Sequence, residues 1–197
     1  MVKDIVIFGK NSILAKNFVE NKYSKFNKYI FITRENNSNN EDIFCDLGRS
    51  IKRDEINNIC QKIENLCLNK EKVFILFAWS GGPRNYLIDS ENWQINNNII
   101  KNFLLISKRL LPEKIIFISS SGAIYPQNQK KEFTEADKTI PLTAYGKQKL
   151  ISENIIKSFG QENNLNFTIL RVATAYGFDP RFSDQGVINK WIYAAIN

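Results

Sequence analysis

The chain has no histidine, three cysteines and a single methionine among its 197 residues. Without histidine, and with Cys45, Cys60 and Cys67 in no metal-ligand spacing, metal chemistry would need an all-oxygen or unusual site, and no metal is expected. So odd and sparse a set of thiols also argues against a disulfide-stapled scaffold. Cys60 and Cys67 are expected on one face of a helix, where core packing accounts for them. Long apolar runs are missing too. Val73–Trp79 and Ile115–Ile118 are strand-length, well short of the ~20 residues that span a bilayer, so no membrane partner is expected. Met1-Val2-Lys3-Asp4-Ile5 leads straight into a strand-like segment, which gives no signal peptide and an expected cytoplasmic location.

What is present is the mixture of a soluble globular protein, 43% hydrophobic and 24% charged. The length suits one good-sized core and is short for two domains. A net charge of +7 invites a nucleic-acid reading. The cations are scattered, however, and the densest pair, Lys130-Lys131, is followed by Glu132, Glu135 and Asp137. No recognition motif accompanies them, so nucleic acid is not an expected partner. The richness in Lys, Asn and Ile is what AT-rich coding produces, and the charge suits an anionic cofactor or substrate.

Apolar, β-rich runs alternate with stretches of helical spacing. Strands are expected at Lys3–Phe8, Tyr29–Thr33, Asp42–Cys45, Val73–Ala78, Lys114–Ser119 and Asn166–Arg171. Helices are expected at Ser12–Asn21, Ser50–Leu68, Glu91–Leu111, Leu142–Phe159 and Ser183–Ile196, with Gly160 placed as a helix stop. Asn36–Asn40 reads as a polar loop, and there is no internal repeat. Nearly continuous apolar strands between helices predict an α/β fold, a doubly wound parallel sheet in a Rossmann-like three-layer sandwich.

The first strand runs into Phe8-Gly9-Lys10-Asn11-Ser12-Ile13-Leu14-Ala15. A tight turn that must approach a pyrophosphate needs glycine, and the phosphate then sits on the helix N-terminus. Gly9 keeps that role, while Ser12 and Ala15 stand at the two later glycine positions. Ser12 can cap the helix or meet a phosphate, and Ala15 is small enough for close packing. Gly9, Ser12, Ile13 and Leu14 are therefore the candidate pyrophosphate contacts. An acidic residue about twenty residues on would grip the ribose of NAD. Here Thr33-Arg34 stands at the second strand end, and a guanidinium suits the 2′-phosphate of NADP. Glu35 follows at once, so NADP is favoured slightly and NAD stays open.

Two further segments carry the chemistry. Ile115–Ile118 ends in Ser119-Ser120-Ser121-Gly122-Ala123-Ile124-Tyr125-Pro126, and Ala144-Tyr145-Gly146-Lys147-Gln148-Lys149 comes later. Tyr145 and Lys149 lie i and i+4 on one helix face. An ammonium beside a phenol lowers its pKa, which fits Tyr145 as acid or base. A serine hydroxyl can steady charge developing on a substrate oxygen.

Together these segments resemble the extended short-chain dehydrogenases/reductases, the NAD(P)-dependent epimerase/dehydratase group. Phe77-Ala78 resembles the group's strand-four Leu-Ala-Ala, with Trp79 in place of the second alanine. Asn96, beside Asn97 and Asn98, falls near a family asparagine. Ile118–Tyr125 resembles the Ser-Ser-Ser…Val-Tyr-Gly stretch, with Pro126 for the glycine. Leu170-Arg171-Val172-Ala173-Thr174-Ala175-Tyr176-Gly177 resembles Leu-Arg-x-x-Asn-x-Tyr-Gly, with Thr174 for the asparagine that meets the sugar nucleotide.

The resemblance implies Ser121, Tyr145 and Lys149 as the catalytic group, with Ser121, Tyr145 and Thr174 toward substrate. It implies Asp46 and Leu47 at the adenine, and Ala78, Trp79, Ser119, Ser120, Tyr145, Lys149 and Ala173 along the cofactor. It implies hydride transfer on a nucleotide sugar, in surface polysaccharide assembly, by an epimerase or a 4-keto-sugar reductase. The 4,6-dehydratases carry Thr-Asp-Glu where this chain has Ser120-Ser121-Gly122, so that reaction is disfavoured. Reduction of a non-sugar substrate is a weaker option. A non-catalytic dinucleotide-binding or interaction protein on the same fold is the competing reading. The resemblance also leads one to expect a homodimer and an absent or truncated C-terminal substrate domain, with Trp191, Ile192, Ala195 and Ile196 on an apolar helix face.

Overall fold

The structure is a computed structural model describing residues 3–20, 28–35, 42–82, 90–126, 132–175 and 187–196. Six strands form one parallel sheet: β1 (Asp4–Phe8), β2 (Lys28–Thr33), β3 (Asp42–Phe44), β4 (Lys72–Leu76), β5 (Lys114–Ser120) and β6 (Asn166–Val172). The helices are α1 (Ile13–Glu20), α2 (Arg53–Leu66), α3 (Ser90–Leu110), α4 (Ser121–Ile124), α5 (Ala144–Glu162) and α6 (Val187–Ile196). The strand order is β3-β2-β1-β4-β5-β6, so the order reverses between β1 and β4. In open parallel sheets ligands bind at such a switch point, beyond the carboxyl ends of the strands.

Central strands are covered on both faces, which is why they read as unbroken apolar runs. Val6, Phe8, Ile30, Ile32, Phe74, Leu76, Ile115 and Phe117 face α2, α3 and α5 in the larger core. Ile5, Ile7, Phe31 and Ile75 face the opposite way, where α1 packs through Ala15 and Phe18. Phe8 sits between Phe74 and Phe103, its ring centroid 4.9 Å from Phe103 in an edge-on contact. Asp4 is buried at the start of β1 because its carboxylate ties down the turn before β4. It accepts from the Asn69 backbone N–H and side-chain amide, both at 2.8 Å.

The doubly wound parallel sheet is as the alternation predicts. Boundaries differ where packing overrides the local signal. Gly160 does not stop its helix: α5 continues to Glu162, and Gly160 is buried inside its last turn. The chain turns instead at Asn164, whose φ of 50° is left-handed. The short α4 has no counterpart in the periodicity. Ser183 and the Asn36–Asn40 loop lie outside the described residues. Cys45 and Cys60 are buried, while Cys67 lies just past α2 and is half-buried. Among the described residues no helix is long and apolar enough to cross a membrane.

Candidate active site

Because every strand is parallel, all six carboxyl ends meet along one edge, and the residues singled out above gather there. The β1–α1 turn is built on Gly9, whose φ is +98°. A Cβ at Gly9 would lie 2.5 Å from the Ala78 backbone nitrogen, so only glycine lets this turn approach the end of β4. The Phe8 carbonyl accepts from the N–H groups of both Phe77 and Ala78, at 2.9 and 2.8 Å, which locks the two strand ends together. Ser12 accepts from the Ala15 N–H at 3.1 Å and so caps α1. Ile13 and Leu14 open the helix, both half-buried. The Asn11 side-chain nitrogen is buried in this turn without a hydrogen-bond partner. Lys10 is tethered beside the turn by an ion pair to Asp42 at 2.6 Å.

At the adenosine end, Arg34 and Glu35 are both exposed just beyond β2. Asp46 accepts from the Gly48 N–H at 2.9 Å, folding the turn after β3. That turn is held from α3, since Asn98 donates to the Gly48 carbonyl and Asn102 to the buried Leu47's carbonyl, each at 2.9 Å. Asp46 and Leu47 thus sit on a turn with little freedom of its own.

The Ser, Tyr and Lys segments are brought together by α5. Thr143 caps it by accepting from the Gly146 N–H at 3.0 Å. A Cβ on Gly146 would fall 2.1 Å from the Ala123 carbonyl oxygen, so glycine here lets the first turn of α5 rest on α4. Tyr145 is thereby held beside the serine run and shares a side-chain hydrogen bond with Ser120. Lys149 is buried, donates to the Ile118 carbonyl at 2.8 Å and lies under the Trp79 indole, 3.7 Å from its centroid. Burial pulls its pKa down to about 7, although Glu153 pulls the other way. The Tyr145 pKa is raised by burial, with the Ser120 hydrogen bond opposing. The lowering expected from the lysine does not appear, because Nζ is turned to Ile118 and stands 5.8 Å from the Tyr145 ring centroid.

Ser121 is half-buried at the start of α4, and Ala173 and Thr174 are exposed just past β6. Ser119 is placed differently from its two neighbours. It is buried and donates at 2.6 Å to the Glu153 carboxylate, so its hydroxyl faces α5. Tyr176 and Gly177 lie outside the described residues.

Two networks behind the site went unread in the sequence. Glu153, fully buried, pairs with Arg171 at 2.8 Å, and Arg171 also donates to the Tyr125 hydroxyl at 2.6 Å. The only signal was the helical spacing that puts Glu153 one turn beyond Lys149. The second joins α3, the β4 end and α5. Asn96 accepts from the Ser80 N–H at 2.8 Å and donates to the Ser80 carbonyl and to Gln148, both at 2.9 Å. Of three consecutive asparagines, Asn96, the one the resemblance singles out, is the buried one; its partners have no signal in the sequence. Ser80 also bonds Asn92 through its hydroxyl.

Among proteins of known kind, the chain is 32% identical over 93 residues to a putative UDP-glucose 4-epimerase of Methanocaldococcus jannaschii, covering 46% of this chain and 30% of that protein. It is 36% identical over 77 residues to the Escherichia coli dTDP-4-dehydro-6-deoxyglucose reductase, covering 39% and 24%. Each match thus spans under a third of the relative's length. The fold is similar to that of the Thermus thermophilus UDP-glucose 4-epimerase solved with NAD, at a TM-score of 0.68 and 18% identity, over 85% of this chain and 54% of that one. Residues 5–197 match the NAD dependent epimerase/dehydratase family, and the chain belongs to it.

Proposed function

We propose that this chain carries out NAD(P)-dependent hydride transfer on a nucleotide sugar, as an epimerase or a 4-keto-sugar reductase, with Ser121, Tyr145 and Lys149 as its working group. The observation that carries the reading is the convergence of Tyr145, Lys149 and the Ser120-Ser121 strand end on the switch-point edge that also holds the Gly9 turn. That turn fits a dinucleotide: Gly9 lets it lie tight against the end of β4, and Asn11 keeps a buried donor free. Gly9, Ser12, Ile13 and Leu14 would meet the pyrophosphate, Asp46 and Leu47 the adenine, and Ala78, Trp79 and Ala173 the nicotinamide half. When bound, the dinucleotide would supply the carbon that gives or takes the hydride.

The chain's own residues handle the proton. Tyr145, kept protonated by burial, is set up to give its proton to a sugar oxygen as a keto group is reduced. Ser120 is hydrogen-bonded to that phenol, and Ser121 lies next along the chain to hold the same substrate oxygen. Arg34, exposed beyond β2, supports a slight preference for NADP. Ser120-Ser121-Gly122 offers no acid for water elimination, which disfavours a 4,6-dehydratase. A place in surface polysaccharide assembly follows from the substrate class. Leu105 on α3 with Ile151 and Ile155 on α5, each more than 40% exposed, supports a homodimer through these two helices.

The test is turnover of a panel of nucleotide sugars and 4-keto sugars with NAD, NADP and their reduced forms. Tyr145→Phe should cut turnover by about 10²–10⁴-fold while dinucleotide binding changes little. Unchanged turnover in that variant would remove Tyr145 from the mechanism. Dinucleotide binding with no turnover of any sugar would favour a binding protein on the same fold.

A further inference from the structure

Trp79 stands where the family resemblance has an alanine, and its indole, packed against the larger core, also meets a charged group. It lies over Lys149, with Nζ 3.7 Å from the ring centroid, and meets Tyr145 edge-on at 6.3 Å between centroids. Phe117 lies 6.0 Å from it between ring centroids and gives Nζ a second ring face, at 4.8 Å. The indole N–H is buried and has no hydrogen-bond partner. A buried donor without an acceptor is unfavourable, so the ring is held here by its face rather than by its nitrogen. A desolvated ammonium over an indole face is among the stronger cation–π contacts, and Nζ donates to the Ile118 carbonyl beside it.

We infer that Trp79 is a positioning residue for Lys149: its indole holds the ammonium at the Ile118 carbonyl, next to Tyr145, and shuts it off from water. The inference rests on the reading of Tyr145 and Lys149 as the working pair. Among the described residues, the charged and titratable groups around Lys149 are Tyr145 and Glu153 on its own helix and Arg171 on β6, which is paired to Glu153. Glu153 favours the ammonium, so the low proton affinity of Lys149 comes from exclusion of water, in which the indole takes part.

The experiment is pH-dependent amine labelling of the whole chain, followed by peptide mass spectrometry. Lys147, exposed on the same helix, serves as internal reference. Trp79→Leu should raise the Lys149-to-Lys147 labelling ratio about tenfold at high pH, as water and reagent reach Nζ. Trp79→Phe, which restores a ring face, should stay within about threefold of the native ratio. An unchanged ratio in Trp79→Leu would overturn the inference.

Loss of the fold would speed both lysines together, and a second measurement then decides. With Trp93 and Trp191 replaced by Phe, Trp79 emission should titrate near neutral pH and become flat in Lys149→Met. Emission flat in both would overturn the inference. Neither readout depends on turnover. A failed sugar assay with positive labelling would therefore remove the proposed reaction and leave the Trp79 contact standing.

Discussion

Lys149 is a buried lysine, and its burial has a cost that depends on pH. Its pKa in the fold is about 7 against an ordinary 10.5, so between those values the unfolded chain binds the extra proton. Stability must then rise with pH through this window, since the unfolded state carries more protons. The thiols act oppositely. Burial pushes Cys45 from 9.0 to about 12, and Cys60 and Cys67 to about 11, so above pH 9 the folded chain keeps protons the unfolded chain loses. Chemical denaturation across pH should show stability climbing from 7 to about 9 and then levelling or falling. Lys149→Met should abolish the climb. A native profile flat over that range would mean Lys149 is not desolvated as described. The Glu153–Arg171 pair is a second residue-scale dependency. Arg171→Met leaves a fully buried carboxylate without its cation and should cost about 3–5 kcal/mol, measured as a shift in denaturant midpoint. A loss under 1 kcal/mol would show the pair to be replaceable by water.

At the scale of elements, α5 carries two of the three proposed working residues, and its first turn rests against α4. Gly146→Ala puts a methyl where the Ala123 carbonyl stands, so α5 must shift away from the serine run. Turnover should fall more than stability does, because a displacement on the order of 1 Å can cost about 10²-fold in rate. A variant with native kcat would separate the α4–α5 contact from the chemistry. The same elements show what a sequence can reveal. Tyr145 and Lys149 were legible because i, i+4 spacing fixes a shared face, and the β1–α1 turn because Gly9 directly follows an apolar strand. The Ser119 orientation was not legible. Strand alternation alone leaves open which face of β5 meets α5, and the partner, Glu153, arrives from another element. The extent of α5 was misjudged for a similar reason. Gly160 is there to be buried near β6, a tertiary demand that looks like a stop signal when only local propensity is considered.

For the molecule as a whole, the parallel sheet gathers six loops at one edge, and the reversal between β1 and β4 opens the place for a ligand. The alternation of apolar strands and helices was enough to predict this, since covered parallel strands have little other way to read. The outward apolar side chains of α3 and α5 carry the proposed dimer. Leu105→Asp with Ile151→Asp should turn a dimer into a monomer in sedimentation, whereas a native monomer would leave that face without a role.

The most direct test of the account is a calorimetric titration of the native chain with NADP and with NAD, alongside Arg34→Ala. One dinucleotide should bind per chain, with NADP bound more tightly and that preference lost in Arg34→Ala. A chain that binds neither dinucleotide would contradict it.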